Sequence, residues 1–109
     1  MKKINIISKN YEINNVIDNK NMVKNRYFYI YNKLNNEKYY RFAICVSKKI
    51  GNAVRRNKIK RQIKDIIDKS NLVFSNAKDY VIIVRKEINN IDYQLMKESL
   101  INLISNIVD

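Results

Sequence analysis

The chain has 109 residues, a length that fits one hydrophobic core. A single domain over residues 1–109 is therefore expected. Its formal net charge is +12, from 22 Lys and Arg against 10 Asp and Glu, which predicts a polyanionic partner. It has no His and a single cysteine, Cys45. These absences exclude the usual proton shuttle, much zinc chemistry and an internal disulfide. No apolar run reaches bilayer-spanning length, so a cytoplasmic protein is expected.

Apolar periodicity predicts a short helix and two strands in the first half of the chain. Ile13, Val16 and Ile17 have helical spacing within residues 10–20. Residues 26–33 alternate, with tyrosines on one face, as a strand requires. After a loop at residues 35–37, a return strand at 40–47 carries large apolar side chains on one face and small ones on the other. The two strands are expected to pair as a hairpin.

The second half is predicted to contain a basic helix, a central strand and a closing helix. A turn at residues 47–52 holds the only glycine, Gly51, interpreted as a positive-φ position. The next helix has a core stripe of Ile59, Ile63, Ile66 and Ile67. A short helical or irregular connection at residues 71–79 leads to the continuous apolar run at 80–84, which suits a central strand. Asp92 is expected to cap the last helix. This order favours an α+β sandwich.

Positive charge is concentrated between Lys48 and Lys64. This segment contains eight Lys and Arg residues and no acid, so it supplies +8 of the net charge. Like charges in so short a stretch repel one another, and an external polyanion would compensate them. Arg55, Arg56 and Asn57 stand at the N-terminal end of the helix, where backbone N–H groups and the dipole favour phosphate. Structured RNA or DNA is the predicted partner. An anionic membrane fits less well, because the opposite helix face lacks interfacial Trp or Phe.

The small face of the return strand predicts a second binding feature. On a hairpin, tyrosines would lie beside a floor of small side chains, and the first helix would supply one wall. Such a trough can hold a nucleic-acid single strand by stacking. Its residues are Ile13, Ile17, Tyr29, Tyr31, Ala43, Cys45 and Ser47. Ordinary packing of strand tyrosines is the alternative interpretation. Cys45 is interpreted as a floor residue, since a catalytic thiol would need a His partner.

Residues 47–61, SKKIGNAVRRNKIKR, resemble the turn and Arg-Asn-Arg helix of the protein subunit of bacterial ribonuclease P. The Tyr-rich strand after Arg26, the sequence DYVIIVRK at residues 79–86 and the closing helix extend the resemblance over nearly the whole chain. The resemblance implies a ribosomal protein S5 domain 2-like α+β sandwich with a small mixed sheet. It also implies a left-handed βαβ crossover through the basic helix, whereas the general rule is right-handed.

The resemblance further implies a function. The family's protein assists a catalytic RNA in endonucleolytic removal of the 5′ leader from precursor tRNA, and lowers the Mg²⁺ requirement. The RNA performs the hydrolysis with Mg²⁺, so no catalytic or metal-ligating residue, membrane or protein partner is expected of the chain. The trough residues would bind the leader. The catalytic RNA would be bound by Lys48, Lys49, Asn52, Arg55, Arg56, Asn57, Lys58, Lys60, Arg61 and Lys64. Lys58 stands where the family's second Arg is usual, and Ile13 and Ile17 stand where Phe is common.

Two other functions remain open from the sequence. A ribosomal or general RNA-binding protein of the same fold would bind precursor and mature tRNA equally. A nuclease acting without RNA would depend on Asp65 and Asp68, the only close acid pair near the basic segment. Their i,i+3 spacing on a helix favours capping of charge over binding of two metal ions.

Overall fold

The computed structural model of the chain describes residues 1–74 and 77–108. Within them lie three α-helices, which we label α1 (Asn10–Asp18), α2 (Ala53–Lys69) and α3 (Tyr93–Ile104). The four strands there are β1 (Met22–Lys24), β2 (Phe28–Leu34), β3 (Arg41–Cys45) and β4 (Lys78–Val84). Two short 3₁₀ helices cover Lys3–Asn5 and Lys86–Asn90. The predicted α+β class is confirmed.

The strands form one mixed sheet in the order β1-β2-β4-β3. β4 pairs antiparallel with β2 and parallel with β3, so the predicted central position of this apolar strand is confirmed. Tyr80, Val81 and Ile82 of β4 are fully buried, because the sheet is covered on both faces. The parallel pair is joined through α2, as a crossover requires. The left-handed sense of this crossover stays a prediction from the resemblance.

The predicted hairpin is wrong, because β4 lies between β2 and β3. The loop after β2 is hydrogen-bonded to the start of β4 and does not form a tight turn between β2 and β3. Asn35 donates its backbone N–H to Ala77 O at 2.7 Å and its side-chain amide to Asp79 Oδ1 at 2.8 Å. The return strand β3 therefore pairs with β4, which is the most buried strand, and not with β2.

The predicted sharing of one sheet face survives this change of topology. Residues opposite one another in register lie on the same face. Two rows cross the sheet from β2 through β4 to β3: Tyr31, Val81, Ala43 and Tyr29, Ile83, Cys45. α1 packs on this face through Val16. The other face packs against α2 and α3 and forms the larger core, which includes the whole predicted isoleucine stripe of α2.

Several predicted boundaries shift by a few residues. α1 ends at Asp18, two residues early, and Lys20 has a positive φ of 60°. Strand β1 was not predicted, because three residues carry no usable periodicity. In the predicted connection, residues 71–74 are irregular, 75 and 76 lie outside the described residues, and Lys78 and Asp79 belong to β4. The Asp92 cap is confirmed, since its carboxylate accepts from the Leu95 N–H at 2.9 Å.

Candidate RNA interface

The turn before α2 is shaped by close packing rather than by an unusual backbone angle. No glycine of the chain has a positive φ, so the interpretation of Gly51 as a left-handed position is wrong. A Cβ at Gly51 would lie 2.9 Å from Cγ of Arg55. Asn52 caps the helix by accepting the Arg55 N–H at 2.9 Å. Gly51 therefore makes room for the Arg55 side chain to fold back over the turn.

We expect Gly51→Ala to displace the Arg55 side chain. The added methyl would be closer to Cγ than real side chains tolerate, and the flexible arginine is the group that can yield. The expected result is a loss of the Arg55 contact to Asn89 with a fall in melting temperature of about 4 °C or less. Calorimetry and a structure of the variant would measure both. An unmoved Arg55 would contradict this role of Gly51.

Asn89 connects the turn to the start of the helix, and no sequence pattern predicted this role. Its side-chain oxygen accepts from Arg55 Nε at 3.3 Å and Nη2 at 3.2 Å, and its amide donates to Ile50 O at 2.9 Å. Arg56 Nε donates to Gly51 O at 3.2 Å. The side chains of Arg55 and Arg56 are half-buried and are hydrogen-bonded to Asn89 and to Gly51 O. Their orientation is set before any ligand binds, which lowers the entropy cost of binding.

The basic segment carries charge that the protein itself does not neutralise. Within residues 1–74 and 77–108, none of the eight Lys and Arg residues from Lys48 to Lys64 forms an ion pair. The nearest acids are engaged elsewhere: Asp65 pairs with Lys69 at 3.2 Å, and Asp68 pairs with the N-terminal amine. The predicted RNA-binding residues that are exposed are Lys48, Lys49, Asn52, Asn57, Lys58 and Arg61. This surface is suited to a polyanion.

A groove of about 660 Å³ separates α1 from the end of the sheet. Four of the seven predicted trough residues line it: Ile13, Ile17, Cys45 and Ser47. Residues that the sequence reasoning missed also line it: Asn10, Asn14, Ile44, Val46, Ile83 and Val84. Lys60 of α2 completes the lining. The helical spacing of positions 10, 13, 14 and 17 could have indicated that one flank of α1 faces the groove.

The other three predicted trough residues share the sheet face but do not line the groove. Ala43 is 4% exposed and lies beneath α1 in the small core. Tyr31 packs against the same core. Tyr29 has the guanidinium of Arg85 over its ring, 4.8 Å from the ring centre. Both tyrosines are half-buried, so their contact with a single strand stays a prediction, and the apolar part of the groove lining is aliphatic.

Cys45 and Lys60 set the electrostatics of the groove. Burial raises the pKa of the Cys45 thiol, and the nearby positive charge of Lys60 offsets part of this rise. Cys45 is therefore a neutral thiol at pH 7 rather than a reactive thiolate. Lys60 brings a cation of the basic helix to a mostly apolar groove. The groove and the basic surface of α2 thus meet at one residue.

Neither a metal cluster nor a membrane span is found in the described parts of the chain. Residues 1–74 and 77–108 contain no group of three or more Cys, Asp or Glu side chains placed to hold a metal ion. Within the same residues, no helix has the length and apolar character needed to cross a membrane.

The sequence profile of the family described as Ribonuclease P matches residues 1–108. The chain belongs to the ribonuclease P protein family. The ribonuclease P protein component of Mycoplasma mycoides is 44% identical over 98% of this chain and 99% of its own length. The component from Bacillus mycoides is also 44% identical, covering 94% of this chain and 90% of its own.

Solved structures of ribonuclease P proteins share the fold. The protein from Staphylococcus aureus is 34% identical, with a TM-score of 0.80 over 93% of each chain. The protein from Thermotoga maritima is 28% identical, with a TM-score of 0.82 over 94% of this chain and 97% of the other. As a ribonuclease P protein component, the chain is part of an endoribonuclease and has a general role in tRNA 5′ processing together with the ribonuclease P RNA.

Proposed function

We propose that this ribonuclease P protein holds the 5′ leader of precursor tRNA in the α1 groove while α2 binds the catalytic RNA, in the cytoplasm. The RNA performs the hydrolysis with Mg²⁺, and the protein contributes binding alone. The neutral Cys45 thiol and the absence of His support a non-catalytic groove. The ion pairs of Asp65 and Asp68 likewise disfavour a nuclease acting by itself.

The observation that carries the proposal is the position of Lys60. It lines the groove and belongs to the segment from Lys48 to Lys64, whose eight cations form no ion pair within the described residues. A single strand lying in the groove would therefore place a phosphate beside α2, close to the RNA bound there. Leader and catalytic RNA would share one continuous positive surface, which joins substrate binding to assembly.

The lining of the groove favours contacts that do not depend on leader sequence. Ile13, Ile17 and Ile83 offer apolar surface to bases, and the side-chain amides of Asn10 and Asn14 can donate or accept hydrogen bonds. Aromatic stacking is not available from the described residues that line the groove. Aliphatic contact accepts any base, because it reads neither donors nor acceptors.

A lower Mg²⁺ requirement follows from the unneutralised charge of α2. Folding of a catalytic RNA brings phosphates together, and cations must offset their repulsion. Eight fixed positive charges between Lys48 and Lys64 can replace part of the bulk Mg²⁺ that otherwise does so. The protein is therefore expected to matter most where Mg²⁺ is scarce.

We expect the protein to restore cleavage by a bacterial ribonuclease P RNA at Mg²⁺ concentrations where the RNA alone is inactive. Release of the 5′ leader from a labelled precursor tRNA measures this directly. The increase in cleavage rate should disappear at high Mg²⁺, since the ions then neutralise the RNA phosphates without the protein. Equal rates with and without protein at low Mg²⁺ would contradict the proposal. Cleavage by the protein without RNA would instead support the nuclease hypothesis.

The groove is tested separately by comparing substrates. The reconstituted enzyme should bind precursor tRNA more tightly than the same tRNA without a leader, and the protein should be responsible for the difference. Equilibrium binding in Ca²⁺, which slows cleavage, measures both affinities. Equal affinities would favour the second candidate, a general RNA-binding protein that joins the complex without contacting the leader.

A further inference from the structure

A partly buried ionic cluster contacts α1 at the flank away from the groove. Arg41 donates from Nε to Asp79 Oδ1 at 2.9 Å and from Nη2 to Asp79 Oδ2 at 2.8 Å. The same Nη2 lies 2.8 Å from Oε2 of Glu12 on α1. One guanidinium thus connects the sheet to the helix that forms the groove wall. The function proposed above uses none of these three residues.

The sheet end of this cluster is fixed. Arg41 and Asp79 are opposite one another in the register of β3 and β4. The Asn35 amide gives Asp79 a further hydrogen bond at 2.8 Å, and the Asp79 side chain is only 8% exposed. Hydrogen bonding to Asp79 raises the pKa of Arg41, so the guanidinium stays charged. Arg41 is therefore a rigid cation that points at α1.

The helix end, by contrast, is held by limited packing, in which Val16, Ile13 and Ile17 contact the small core. α1 has nine residues, too few to be stable by itself. Val16 is its only buried residue, and it packs in a core of four buried residues, against seventeen in the larger core of the described residues. Elements with few buried contacts open locally at low cost. The Glu12 contact therefore adds an ion pair to the limited packing of α1.

Glu12 and the groove residues lie on different flanks of the helix. At 100° per residue, Glu12 is turned away from Asn10, Asn14 and Ile17. Glu12 and Asn15 line a separate recess of about 290 Å³, whereas positions 10, 13, 14 and 17 line the groove. An ion pair on the Glu12 flank can therefore set the tilt of α1, which forms the groove wall, without contacting a ligand in the groove.

We propose that the Glu12–Arg41 ion pair positions α1 and so sets the width of the groove that receives the leader. Glu12 is a positioning residue for substrate, and it acts through Ile13 and Ile17 on the same helix. The inference rests on the proposed leader site, and it predicts an effect of opposite sign from simple electrostatics. Removing an anion near a polyanionic ligand would by itself increase affinity.

The test is Glu12→Gln in the enzyme reconstituted with ribonuclease P RNA. We expect the affinity for leader-bearing precursor to fall about tenfold, while the affinity for leaderless tRNA stays within about twofold of wild type. Asp18→Asn is the matched control, because it removes the same charge from the same helix at an exposed residue that forms no ion pair with residues 1–74 or 77–108. The control should leave leader affinity equal or slightly higher. A Glu12→Gln enzyme that behaves like the control would overturn the proposal.

Hydrogen exchange separates positioning from general damage. In Glu12→Gln, amides of α1 should exchange faster while those of α2 and β4 keep their wild-type protection. Unchanged exchange in α1 would overturn the inference, and so would faster exchange throughout the chain, which indicates a structural role. If the wild-type enzyme shows no preference for precursor, the proposed leader site fails, and the exchange of α1 alone then decides whether the pair positions the helix.

Discussion

Arg41→Met is expected to lower the free energy of unfolding by about 3 kcal/mol, the lower end of the cost of breaking a buried ion pair by removing one partner. The Arg41 side chain is 13% exposed and that of Asp79 is 8% exposed, so water would solvate the stranded carboxylate only in part. Asp79 would keep the Asn35 amide as its side-chain partner, and one neutral donor does not balance a buried carboxylate. Such a loss is large compared with the free energy of unfolding of a typical domain, which is roughly 5–15 kcal/mol.

Urea denaturation followed by circular dichroism measures this loss. Arg26→Met is the matched control, since Arg26 is exposed and has no ion pair within the described residues, and its effect should stay within about 0.5 kcal/mol. Adding Asp79→Asn to Arg41→Met removes the stranded charge and should recover part of the stability. If it recovers none, the cost comes from lost packing of the arginine and the electrostatic explanation is wrong.

The contrast between Arg41 and Glu12 follows from where each is attached. Arg41 belongs to the sheet, and its loss leaves Asp79, in the most buried strand, without its cationic partner. Glu12 belongs to a short helix on the surface, and Arg41 keeps Asp79 as a partner when Glu12 is gone. Arg41 substitutions should therefore change global stability, whereas Glu12 substitutions should change local order in α1. A double-mutant cycle between the two positions would measure their coupling.

Local patterns were sufficient to predict most elements of this fold. The isoleucines of α2 recur at helical spacing, and a continuous apolar run marks β4 as central. Strand pairing was harder, because periodicity places side chains on faces and says nothing about which strand is the neighbour. The tyrosines of β2 and the small residues of β3 share a face, as predicted, yet Ile83 and Val81 of β4 stand between them.

The candidate site was likewise predictable from the sequence only in part. The basic segment is visible in the sequence because eight Lys and Arg residues lie between Lys48 and Lys64 with no acid among them. The residues that orient it are not, since Asn89 reaches Ile50 across 39 positions and one Asn among many carries no signal. Glu12, Arg41 and Asp79 are equally remote in sequence. Long-range polar contacts depend on topology, and the topology could not be derived from spacing alone.

Arg56→Ala is expected to weaken binding to ribonuclease P RNA about tenfold at low salt, which corresponds to about 1.4 kcal/mol. Arg56 stands at the first turn of α2 and its Nε is held by Gly51 O at 3.2 Å. The Nη atoms have no partner within residues 1–74 and 77–108, and a planar guanidinium oriented in this way can bind a phosphate with two hydrogen bonds. Loss of one phosphate contact should also reduce the slope of log K against log salt by about 1.

The salt dependence distinguishes this contact from an effect of net charge. Arg26→Ala removes the same charge from an exposed residue outside α2, and both its affinity and its slope should remain near wild type. Arg56→Lys keeps the charge and loses the planar fork, so it should keep most of the slope while still losing affinity. Equal losses in Arg26→Ala and Arg56→Ala would mean that the RNA responds to overall charge. A full slope in Arg56→Ala would mean that Arg56 contacts no phosphate, and the orientation imposed by Gly51 and Asn89 would then serve the protein rather than the RNA.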